Sequence, residues 1–420
     1  MKRKLLKQIS NEWRSNLWLA LELLIVSVVM WYLTDRLYTR ISIMNEPKGF
    51  DTEHCYRIHF ADLSEQSPEY IPDRSDDERN NDLQTFLDRL EKRPEIECAA
   101  MGQNSYFYNG SNSGTKIIYQ TETDTMRTDV LRRYVTPNFP KVFRIHGANG
   151  ETPEQLSEML KDFNTILLSE NAFERNYGIK SLKDYIGKDF IDTSMWDSIP
   201  EVLRASFVTA RYDDYTAAEW SESMLRGFPK DGYGYLNEMF VRVRDNMDKD
   251  FITNLMNDAD SHFRIGNLYI ASVQSFDDIR DVHQRGQVQQ MKGYFTGAAF
   301  LALNIFLGLL GTFWFRTQQR TSEIAIRKAN GASRGDIFRR VIGEGELLLL
   351  LVTPFAMAFD YLLVHLELTS YYHQTFFEPS RFFACVLISW GFMALMILLG
   401  IFIPANRAMS IAPAIALKDE

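Results

Sequence analysis

Three side chains near the start of the long polar region could bind a metal ion: His54, Cys55 and His59. Imidazole nitrogens and thiolates are frequent zinc ligands. Their spacing does not match the H-E-x-x-H pattern, and no second cluster of ligands follows along the chain. We therefore expect these histidines to lie in a strand or at the surface, and we expect no metal site.

Two other catalytic patterns are absent from the sequence. It has no G-x-x-x-x-G-K-[ST] motif, so it cannot hold ATP phosphates as a P-loop does. It also has no G-x-S-x-G turn that would present a nucleophilic serine. We expect a chain that catalyses no reaction and binds no cofactor of its own.

The most distinctive spacing lies in residues 323–338, which read EIAIRKANGASRGDIF inside a basic stretch, 316–340. This stretch is short and lies between two apolar segments. Such a segment could lie on anionic lipid or dock to a partner protein.

A first short helix is predicted to begin at Glu323. Thr321 or Ser322 is placed to cap it, and the acidic residue lies in its first turn. Its narrow apolar stripe consists of Ile324, Ala325 and Ala329.

A second helix is predicted to follow after a break at Asn330-Gly331. It begins near Ser333, and Ile337 and Val341 continue the apolar face. Two capped helices around a glycine are more structure than a lipid tether needs, so the pattern favours docking to a protein.

Composition alone would suggest an acidic soluble protein, since the net charge is −9 and the mean hydropathy is −0.23. This average conceals segments that are long and apolar enough to cross the hydrocarbon core of a membrane, which takes about 20 residues. These predicted spans are 17–34, 293–315, 342–366 and 382–404. The region between the first two is long enough to bury a core of its own.

The distribution of Lys and Arg predicts the orientation of the spans. Basic residues are concentrated in 1–16 and 316–341, whereas 367–381 holds only Arg381. We therefore expect a cytosolic N-terminal segment (1–16), cytosolic helices (316–341) and a cytosolic tail (405–420). Residues 35–292 and the short loop 367–381 are expected outside.

The first span resembles a signal peptide, but no small-x-small cleavage site follows it. We therefore expect an uncleaved signal anchor. Its helix is predicted to continue outward, because Leu37, Ile41 and Met44 recur at helical spacing. A polar helix over 276–292 leads into the second span, and the two helices would form a stalk.

The outer region alternates short strands and helices. The predicted strands are 56–60, 116–120, 202–208 and 239–243. The predicted helices are 82–92, 152–163 and 249–263. The fold class is thus an α-helical membrane protein with four transmembrane helices and a large α+β extracytoplasmic domain inserted between helices 1 and 2. Its subdomain boundary is not readable from the pattern.

Four acidic residues lie within the predicted spans: Glu22, Glu344, Glu346 and Asp360. A charge at the bilayer centre costs about 2.5–3.5 kcal/mol. The first three lie near cytosolic ends and Asp360 lies toward the outer end. Structural pairing is favoured over a proton relay or ion path, which would need such groups near the midplane.

The chain has three cysteines, too few for a disulfide scaffold. Cys385 lies in the fourth span, where a small apolar role is expected. Cys55 and Cys98 lie in the outer domain, where a disulfide is chemically allowed. Sequence leaves their pairing open.

At this point the residues resemble a known family, the MacB-like and FtsX-like permeases of ATP-binding cassette (ABC) systems. The family's cytosolic loop reads E-I-[AG]-[IV]-R-[KR]-A-x-G-A-[ST]-[RK]. The corresponding residues are Glu323-Ile324-Ala325-Ile326-Arg327-Lys328-Ala329-Asn330-Gly331-Ala332-Ser333-Arg334. Glu344 is similar to the family's acidic residue at the start of the third span.

The C-terminal family pattern P-A-x-R-A followed by P-x-x-A-L matches residues Pro404 to Ala408 and Pro413 to Leu417. In the outer domain, YVTPNF at 134–139 and LLSENAF at 167–173 are similar to the family's recurrent strings. The third span departs from the pattern, because VTPFA at 352–356 replaces a glycine-rich run.

The resemblance implies a four-span permease with a MacB-like periplasmic core domain, without a fused ATPase, in a bacterial inner membrane. Both termini would be cytosolic. ATP and Mg²⁺ would be bound by a separate cytosolic ABC ATPase, and a second permease subunit, identical or paralogous, would complete a dimer. Membrane lipids and, for efflux, a periplasmic adaptor and an outer-membrane protein would be further partners, with no nucleic acid among them.

The resemblance also implies which residues couple the chain to the ATPase. These are Glu323, Ile324, Arg327, Lys328, Gly331, Ala332, Ser333, Arg334, Asp336 and Glu344. Glu344 would orient the base of the third span. Pro404, Arg407, Pro413 and Leu417 mark the C-terminal motif. For Arg327 and Lys328, the alternative is simple retention of positive charge in the cytosol.

Two functions follow from the resemblance and stay open. One is mechanotransmission, in which ATP hydrolysis drives efflux or extraction of a peptide, lipoprotein or drug. The other is signalling, either the control of cell-envelope hydrolases or the sensing of antimicrobial peptides. Family members that control cell-envelope hydrolases during cell division have a much smaller outer domain, and those that sense antimicrobial peptides have more spans. The first function, efflux or extraction, is therefore favoured.

Overall fold

The computed structural model describes residues 13–109, 113–122, 124–193, 201–208, 222–228, 230–372 and 375–410. The chain divides into two compact units. The helical unit consists of Met1–Ser42 with Gln287–Glu420, and the sheet unit consists of Ile43–Gly286.

The helices and strands follow the chain in this order. The helices are α1 (Trp13–Asn45), α2 (Asp76–Glu91), α3 (Phe139–Val142), α4 (Pro153–Met159), α5 (Glu174–Tyr177), α6 (Phe251–Asn257), α7 (Ala259–His262), α8 (Phe276–Gln319), α9 (Thr321–Ala329), α10 (Arg334–His365) and α11 (Pro379–Ser410). The strands are β1 (Cys55–Asp62), β2 (Ile96–Gln103), β3 (Gly114–Gln120), β4 (Thr125–Val135), β5 (Thr165–Ser169), β6 (Asp189–Thr193), β7 (Glu201–Val208), β8 (Ser223–Gly227), β9 (Glu238–Val243) and β10 (Leu268–Ser275).

Four helices, α1, α8, α10 and α11, are long and apolar enough to cross a membrane. Three contain the predicted spans, and α10 ends at His365, one residue short of the predicted end. The helix predicted to continue beyond the first span reaches Asn45, and α8 includes the polar helix predicted over 276–292. With a strand-rich unit between α1 and α8, the predicted fold class is confirmed.

The helical unit has a core built from all four long helices. Leu19 of α1, Leu309 of α8, Leu348 of α10 and Ile397 of α11 belong to one buried apolar cluster. Helices that associate in lipid approach closely where residues are small. Gly345 allows α10 to approach α11 closely, and Gly400 allows α11 to approach α8.

Gly345 of α10 lies against α11. A Cβ built on Gly345 would lie 2.5 Å from Ile401 Cδ1 and 2.8 Å from Ile397 Cγ2, both in fully buried side chains. On a neighbouring face of α11, a Cβ on Gly400 would lie 3.1 Å from Leu309 Cβ and 3.2 Å from the Phe306 carbonyl oxygen. The two glycines allow α11 to pack closely between α10 and α8.

We expect Gly345→Leu to destabilise the helical unit, because extra atoms in a filled core cost about 1–3 kcal/mol or more. Gly343→Leu is the matched control, since a Cβ there has no atom within 4 Å. The melting temperature of the purified protein in detergent should fall for the first variant and stay near that of the wild type for the second. Equal melting temperatures would contradict the packing described for Gly345.

The sheet unit contains one ten-stranded sheet in the order β10-β1-β9-β2-β4-β3-β6-β7-β5-β8. A further parallel pairing joins β4 to β8, from Leu131 with Ser223 to Val135 with Gly227. Strands β4, β3, β6, β7, β5 and β8 therefore close into a ring, from which β2, β9, β1 and β10 extend as an open sheet. The division that the sequence pattern left unplaced lies at β2 and β4, which share only two residue pairs.

The described residues of the sheet unit form three apolar clusters, and the phenylalanine-rich one is shared by the open sheet and the ring. In the open part, α2 lays Leu83, Phe86 and Leu90 against the sheet, all fully buried. The opposite face is rich in phenylalanine, with Phe139, Phe143, Phe240 and Phe276 among the buried members. The ring encloses a separate cluster that includes Ile117, Ile166, Phe173 and Phe190.

The predicted strands 56–60, 116–120, 202–208 and 239–243 all lie within observed strands. The predicted helices are less accurate in their bounds. The helix predicted from residue 82 begins at Asp76, because Ser75 and Glu78 form a capping box. The segment 249–263 is not one helix but two, α6 and α7, and α4 ends at Met159, well before residue 163.

Cys55 and Cys98 are free thiols on strands β1 and β2. Both residues pair with Arg242 of β9, from opposite sides. Neighbouring strands lie about 4.8 Å apart, so the two Cα atoms are about 10 Å apart, beyond the limit of about 7 Å for a disulfide. The question left open by the sequence is therefore answered: Cys55 and Cys98 do not pair in this fold.

We expect neither Cys55 nor Cys98 to react with a maleimide in the native protein at pH 8. Burial raises the pKa of the Cys98 thiol to about 12 and raises that of Cys55 as well, so the reactive thiolate is scarce. Both should be labelled after denaturation, as mass spectrometry of peptides would show. A Cys55–Cys98 disulfide in unreduced protein would contradict this geometry.

Candidate coupling site

The helix α9 begins at Thr321, and its N-cap residue is Arg320, without a side-chain capping bond. The predicted cap at Thr321 or Ser322 is therefore wrong. The Thr321 hydroxyl instead donates to the Gln318 carbonyl oxygen, 2.7 Å away, within the last turn of α8. The chain passes from α8 into α9 with little interruption, and this leaves no extended residue that could act as an N-cap.

The break after α9 forms as predicted. Asn330 is the C-cap residue, and Gly331 has φ +91°, a left-handed conformation that glycine adopts without strain. The Ala332 N–H donates to the Arg327 carbonyl oxygen at 3.0 Å and so satisfies a terminal carbonyl of α9. A side chain at position 331 would be disfavoured by this backbone conformation.

The second helix, α10, begins after Ser333, as predicted. Ser333 and Asp336 form a reciprocal capping box: the Asp336 N–H donates to Ser333 Oγ, and the Ser333 N–H donates to Asp336 Oδ2, both at 3.1 Å. The second predicted helix is not separate from the predicted third span, because α10 continues to His365. A movement of the turn before Ser333 would therefore act directly on a membrane helix.

Glu344 joins the end of α8 to α10. Arg316 Nη1 donates to Glu344 Oε1, and Arg320 Nη1 donates to Glu344 Oε2, each at 2.9 Å. The Glu344 and Arg316 side chains are exposed by only 6% and 9%. Each carboxylate oxygen of Glu344 thus has its own guanidinium donor, which is the condition for burying a charge without leaving it unpaired.

A second group of charged side chains lies between α9 and α10. Arg327 donates to Glu323 Oε1 through Nη2, at 2.6 Å, one turn away on the same helix. Arg340 of α10 lies 3.9 Å from the same oxygen. Together with Arg316, Arg320 and Glu344, these residues line a cavity of about 30 Å³. Four arginines and two glutamates make this cavity positively charged.

The end of α11 completes the support of α9. Lys328 Nζ donates to the Met409 carbonyl oxygen. Ile324, Ile337 and Ala408 form a small buried cluster, with Ala332 packed against it. Of the predicted apolar stripe, Ile324 and Ala325 are buried, whereas Ala329 is exposed. Lys328 and Arg327 of α9 therefore both make hydrogen bonds to other residues of the chain.

An exposed surface remains on the outside of this segment. It consists of Ile326, which is 50% exposed, and the exposed residues Ala329, Asn330, Gly331 and Arg334. We call these residues the α9 surface. An apolar side chain half-exposed among polar ones, next to a rigid turn, can serve as the anchor of a docking site.

The C-terminal motif is partly within the described residues. Pro404 lies inside α11 and is buried, and the guanidinium of Arg407 lies 4.3 Å from the centroid of the Trp314 ring of α8. This cation–π contact ties the end of α11 to the end of α8. Pro413 and Leu417 lie outside the described residues.

At the other end of the helical unit, an ion pair links α1 to α11. Arg381 Nε lies 3.3 Å from Asp35 Oδ1, and the Ser370 N–H donates to Asp35 Oδ2 at 3.1 Å. The sequence reading did not pair these residues, which lie far apart along the chain. The signal available was Arg381, the single basic residue at a span end that otherwise lacks positive charge.

The remaining acidic residues in the spans differ in their surroundings. The Glu22 carboxylate lies beside Gly308 of α8, where a Cβ would be 2.6 Å from Glu22 Oε1. Asp360 is 2% exposed, and its Oδ1 has no hydrogen-bond partner among the described residues. The predicted structural pairing therefore describes Glu344 but is not found for Asp360 Oδ1.

The three residues considered for metal binding do not converge. His54 contacts Asp248, Cys55 Sγ donates to the Val142 carbonyl oxygen at 3.2 Å, and His59 Nε2 lies 3.1 Å from Gln274 Oε1. In the part of the chain that the structure describes, no group of three or more His, Cys, Asp or Glu side chains could hold a metal ion.

The four apolar helices indicate a multi-pass membrane protein, with the sheet unit between the first and second of them along the chain. Residues 295–413 match the family model described as FtsX-like permease C-terminal. The resemblance to FtsX-like permeases that the sequence motifs predicted is therefore confirmed over these residues. The match includes α9, Glu344 and Pro413. No curated protein matches the chain.

Proposed function

We propose that this chain is the permease subunit of an ABC-type system and couples ATP hydrolysis by a separate ATPase to conformational change outside the membrane. FtsX-like permeases generally work with ABC ATPases as non-catalytic membrane subunits. The observation that carries the proposal is the α9 surface, which is exposed on one side and tied to three membrane helices on the other.

A docking element transmits force only if it is held firmly. Arg320 at the N-terminus of α9 binds Glu344 of α10, and Lys328 near its C-terminus binds Met409 of α11. An ATPase that moves against the α9 surface would therefore displace α8, α10 and α11 rather than bend a loop. The long helix α8 (Phe276–Gln319) ends just before α9 begins at Thr321. We propose that α8 is the moving stalk.

The large sheet unit favours efflux or extraction of a peptide, lipoprotein or drug over control of envelope hydrolases. In the proposed arrangement this unit lies in the periplasm of a bacterium, both termini are cytosolic, and a second permease subunit and a pair of ATPases complete the complex. Substrate would be handled by the sheet unit, which has both an open sheet and a closed ring for contacts.

The test is co-purification of the chain with its ABC ATPase, followed by measurement of ATP hydrolysis in lipid. Reversing Arg327 and Lys328 would be ambiguous, because both make contacts within the chain. Arg334→Glu is sharper, since Arg334 is exposed on the α9 surface.

Arg339→Glu is the matched control for Arg334→Glu. Arg339 is also exposed on α10, and five helical residues place it about 140° around the helix from Arg334. We expect Arg334→Glu to weaken the complex and Arg339→Glu to leave it intact. Equal effects of both variants would show that charge alone, and not the α9 surface, determines binding.

A further inference from the structure

A small cavity lies inside the helical unit between α1, α10 and α11. Its volume is about 20 Å³. Polar side chains of all three helices line the cavity, namely Ser27, Thr353, Asp360 and Ser389. Trp390 and Met393 also line it. A polar cavity between membrane helices, even a partly open one, has a cost, so its contents need an explanation.

Two buried polar atoms at this cavity, Ser27 Oγ and Asp360 Oδ1, have no hydrogen-bond partner among the described residues. The other two hydroxyls are used within their own helices. Thr353 Oγ1 donates to the Leu349 carbonyl oxygen, and Ser389 Oγ donates to the Cys385 carbonyl oxygen, both at 2.8 Å. The cavity therefore contains a hydroxyl and a carboxylate oxygen that have no hydrogen-bond partner among the described residues.

The cavity lies well inside the spans. Ser27 precedes Asp35 by eight residues and Ser389 follows Arg381 by eight, so both helices place it about 12 Å inward from the Asp35–Arg381 ion pair. At that ion pair a carboxylate is neutralised by a guanidinium. At Asp360 no lining residue is cationic.

Charged groups elsewhere on the same helices do not replace the missing partner. On α1, Arg36 donates to the Leu368 carbonyl oxygen and does not line the cavity, and Asp35 is paired with Arg381 of α11. On α10, Glu346 and His365 lie at least five residues from Asp360 and do not line the cavity. An ionised Asp360 would therefore be an uncompensated charge within the spans.

We propose that this cavity is a proton-binding site, in which Asp360 is a neutral carboxylic acid and one water molecule bridges it to Ser27 Oγ. The proton neutralises the carboxylate and supplies the missing donor. A water molecule needs a cavity of about 10–15 Å³ and two or more polar partners, which this site provides. Binding is a simple protonation, carboxylate plus H⁺ giving carboxylic acid, and no other reactant is consumed.

Because three membrane helices meet at the cavity, loss of the proton would favour their separation or the entry of more water. The helical unit would thus take up one proton per chain in its closed packing and release it when α10 moves away from α1 and α11. This property does not depend on docking of an ATPase to the α9 surface.

Labelling with dicyclohexylcarbodiimide tests the site, because this apolar reagent modifies protonated carboxyl groups and forms a stable N-acylurea. The full-length protein in lipid vesicles is treated over a range of pH, and the adduct is located by peptide mass spectrometry. We expect Asp360 to be labelled at pH 7, where an ordinary aspartate is ionised. Asp35, which is buried and ion-paired, is the internal control and should stay unmodified.

Three further results decide the assignment. Asp360→Asn should reduce the adduct on this span at least tenfold, to background. Ser27→Ala should leave the labelling but shift its pH midpoint, since it removes one partner of the bridging water; an unchanged midpoint would overturn the water bridge. No labelling of Asp360 at pH 7, or labelling equal to that of Asp35, would overturn the proton site.

Sodium chloride at constant pH and ionic strength separates a proton from a metal cation. If the ligand is a proton, replacing potassium with sodium should not change the labelling. If sodium protects Asp360, the site holds a metal cation and the proposal is wrong. Thermal unfolding of each variant confirms that changes in labelling do not come from a misfolded protein.

Discussion

Glu344→Ala is expected to destabilise the helical unit severely. The replacement would leave the guanidinium groups of Arg316 and Arg320 without their carboxylate, and Arg316 is nearly fully buried. Removing one partner of a buried ion pair costs about 3–5 kcal/mol. The purified variant should melt at a clearly lower temperature in detergent and should fail to form a complex with the ATPase.

Glu323→Ala is the matched control for this experiment. It removes a carboxylate from the same segment, but the Glu323 and Arg327 side chains are each 41% exposed. Ion pairs at the surface contribute about 0–1 kcal/mol, so this variant should melt close to the wild type. If Glu344→Ala melts as the control does, the description of Glu344 as the buried anchor of α8 and α10 is incorrect.

Ile326→Asp is expected to weaken ATPase binding without destabilising the permease. Ile326 is half-exposed at the centre of the α9 surface and lies outside the buried cluster of Ile324, Ile337 and Ala408. A charged residue at an apolar anchor should reduce affinity at least tenfold, which corresponds to about 1.4 kcal/mol. Binding of purified ATPase to the permease in nanodiscs measures this loss directly.

The control for Ile326→Asp is the same replacement at Ile71, which is 45% exposed in the sheet unit. Ile71→Asp should leave ATPase binding unchanged. Melting temperatures of both variants should match the wild type, because neither side chain is buried. Normal binding of the Ile326→Asp protein would exclude the α9 surface as the main ATPase contact.

The sequence predicted features whose causes are local. The break at Gly331 and the capping box of Ser333 depend on neighbouring residues, and both form as expected. The start of α9 was mispredicted at Thr321 or Ser322, because the preceding helix α8 runs on to Gln319 and removes the place for a cap. The strands could also be predicted from local sequence, because alternation of polar and apolar residues and enrichment in β-branched residues mark them.

Features that depend on distant parts of the chain were not readable. The partners of Glu344 lie 24 and 28 residues earlier, and the Asp35–Arg381 pair joins opposite ends of the sequence. A buried acidic residue predicts that some cation is near but not which one. Closure of the strand ring depends on β4 pairing with β8, and parallel pairing over such a distance leaves no local pattern.

The most direct test of the proposed coupling is hydrogen–deuterium exchange of the permease–ATPase complex in nanodiscs, with and without ATP. If the chain transmits force, ATP should change protection within the sheet unit (Ile43–Gly286), although the nucleotide binds another protein. The same change should be absent from the Ile326→Asp complex. Identical exchange of the sheet unit in both states, while ATP is being hydrolysed, would contradict the proposed coupling.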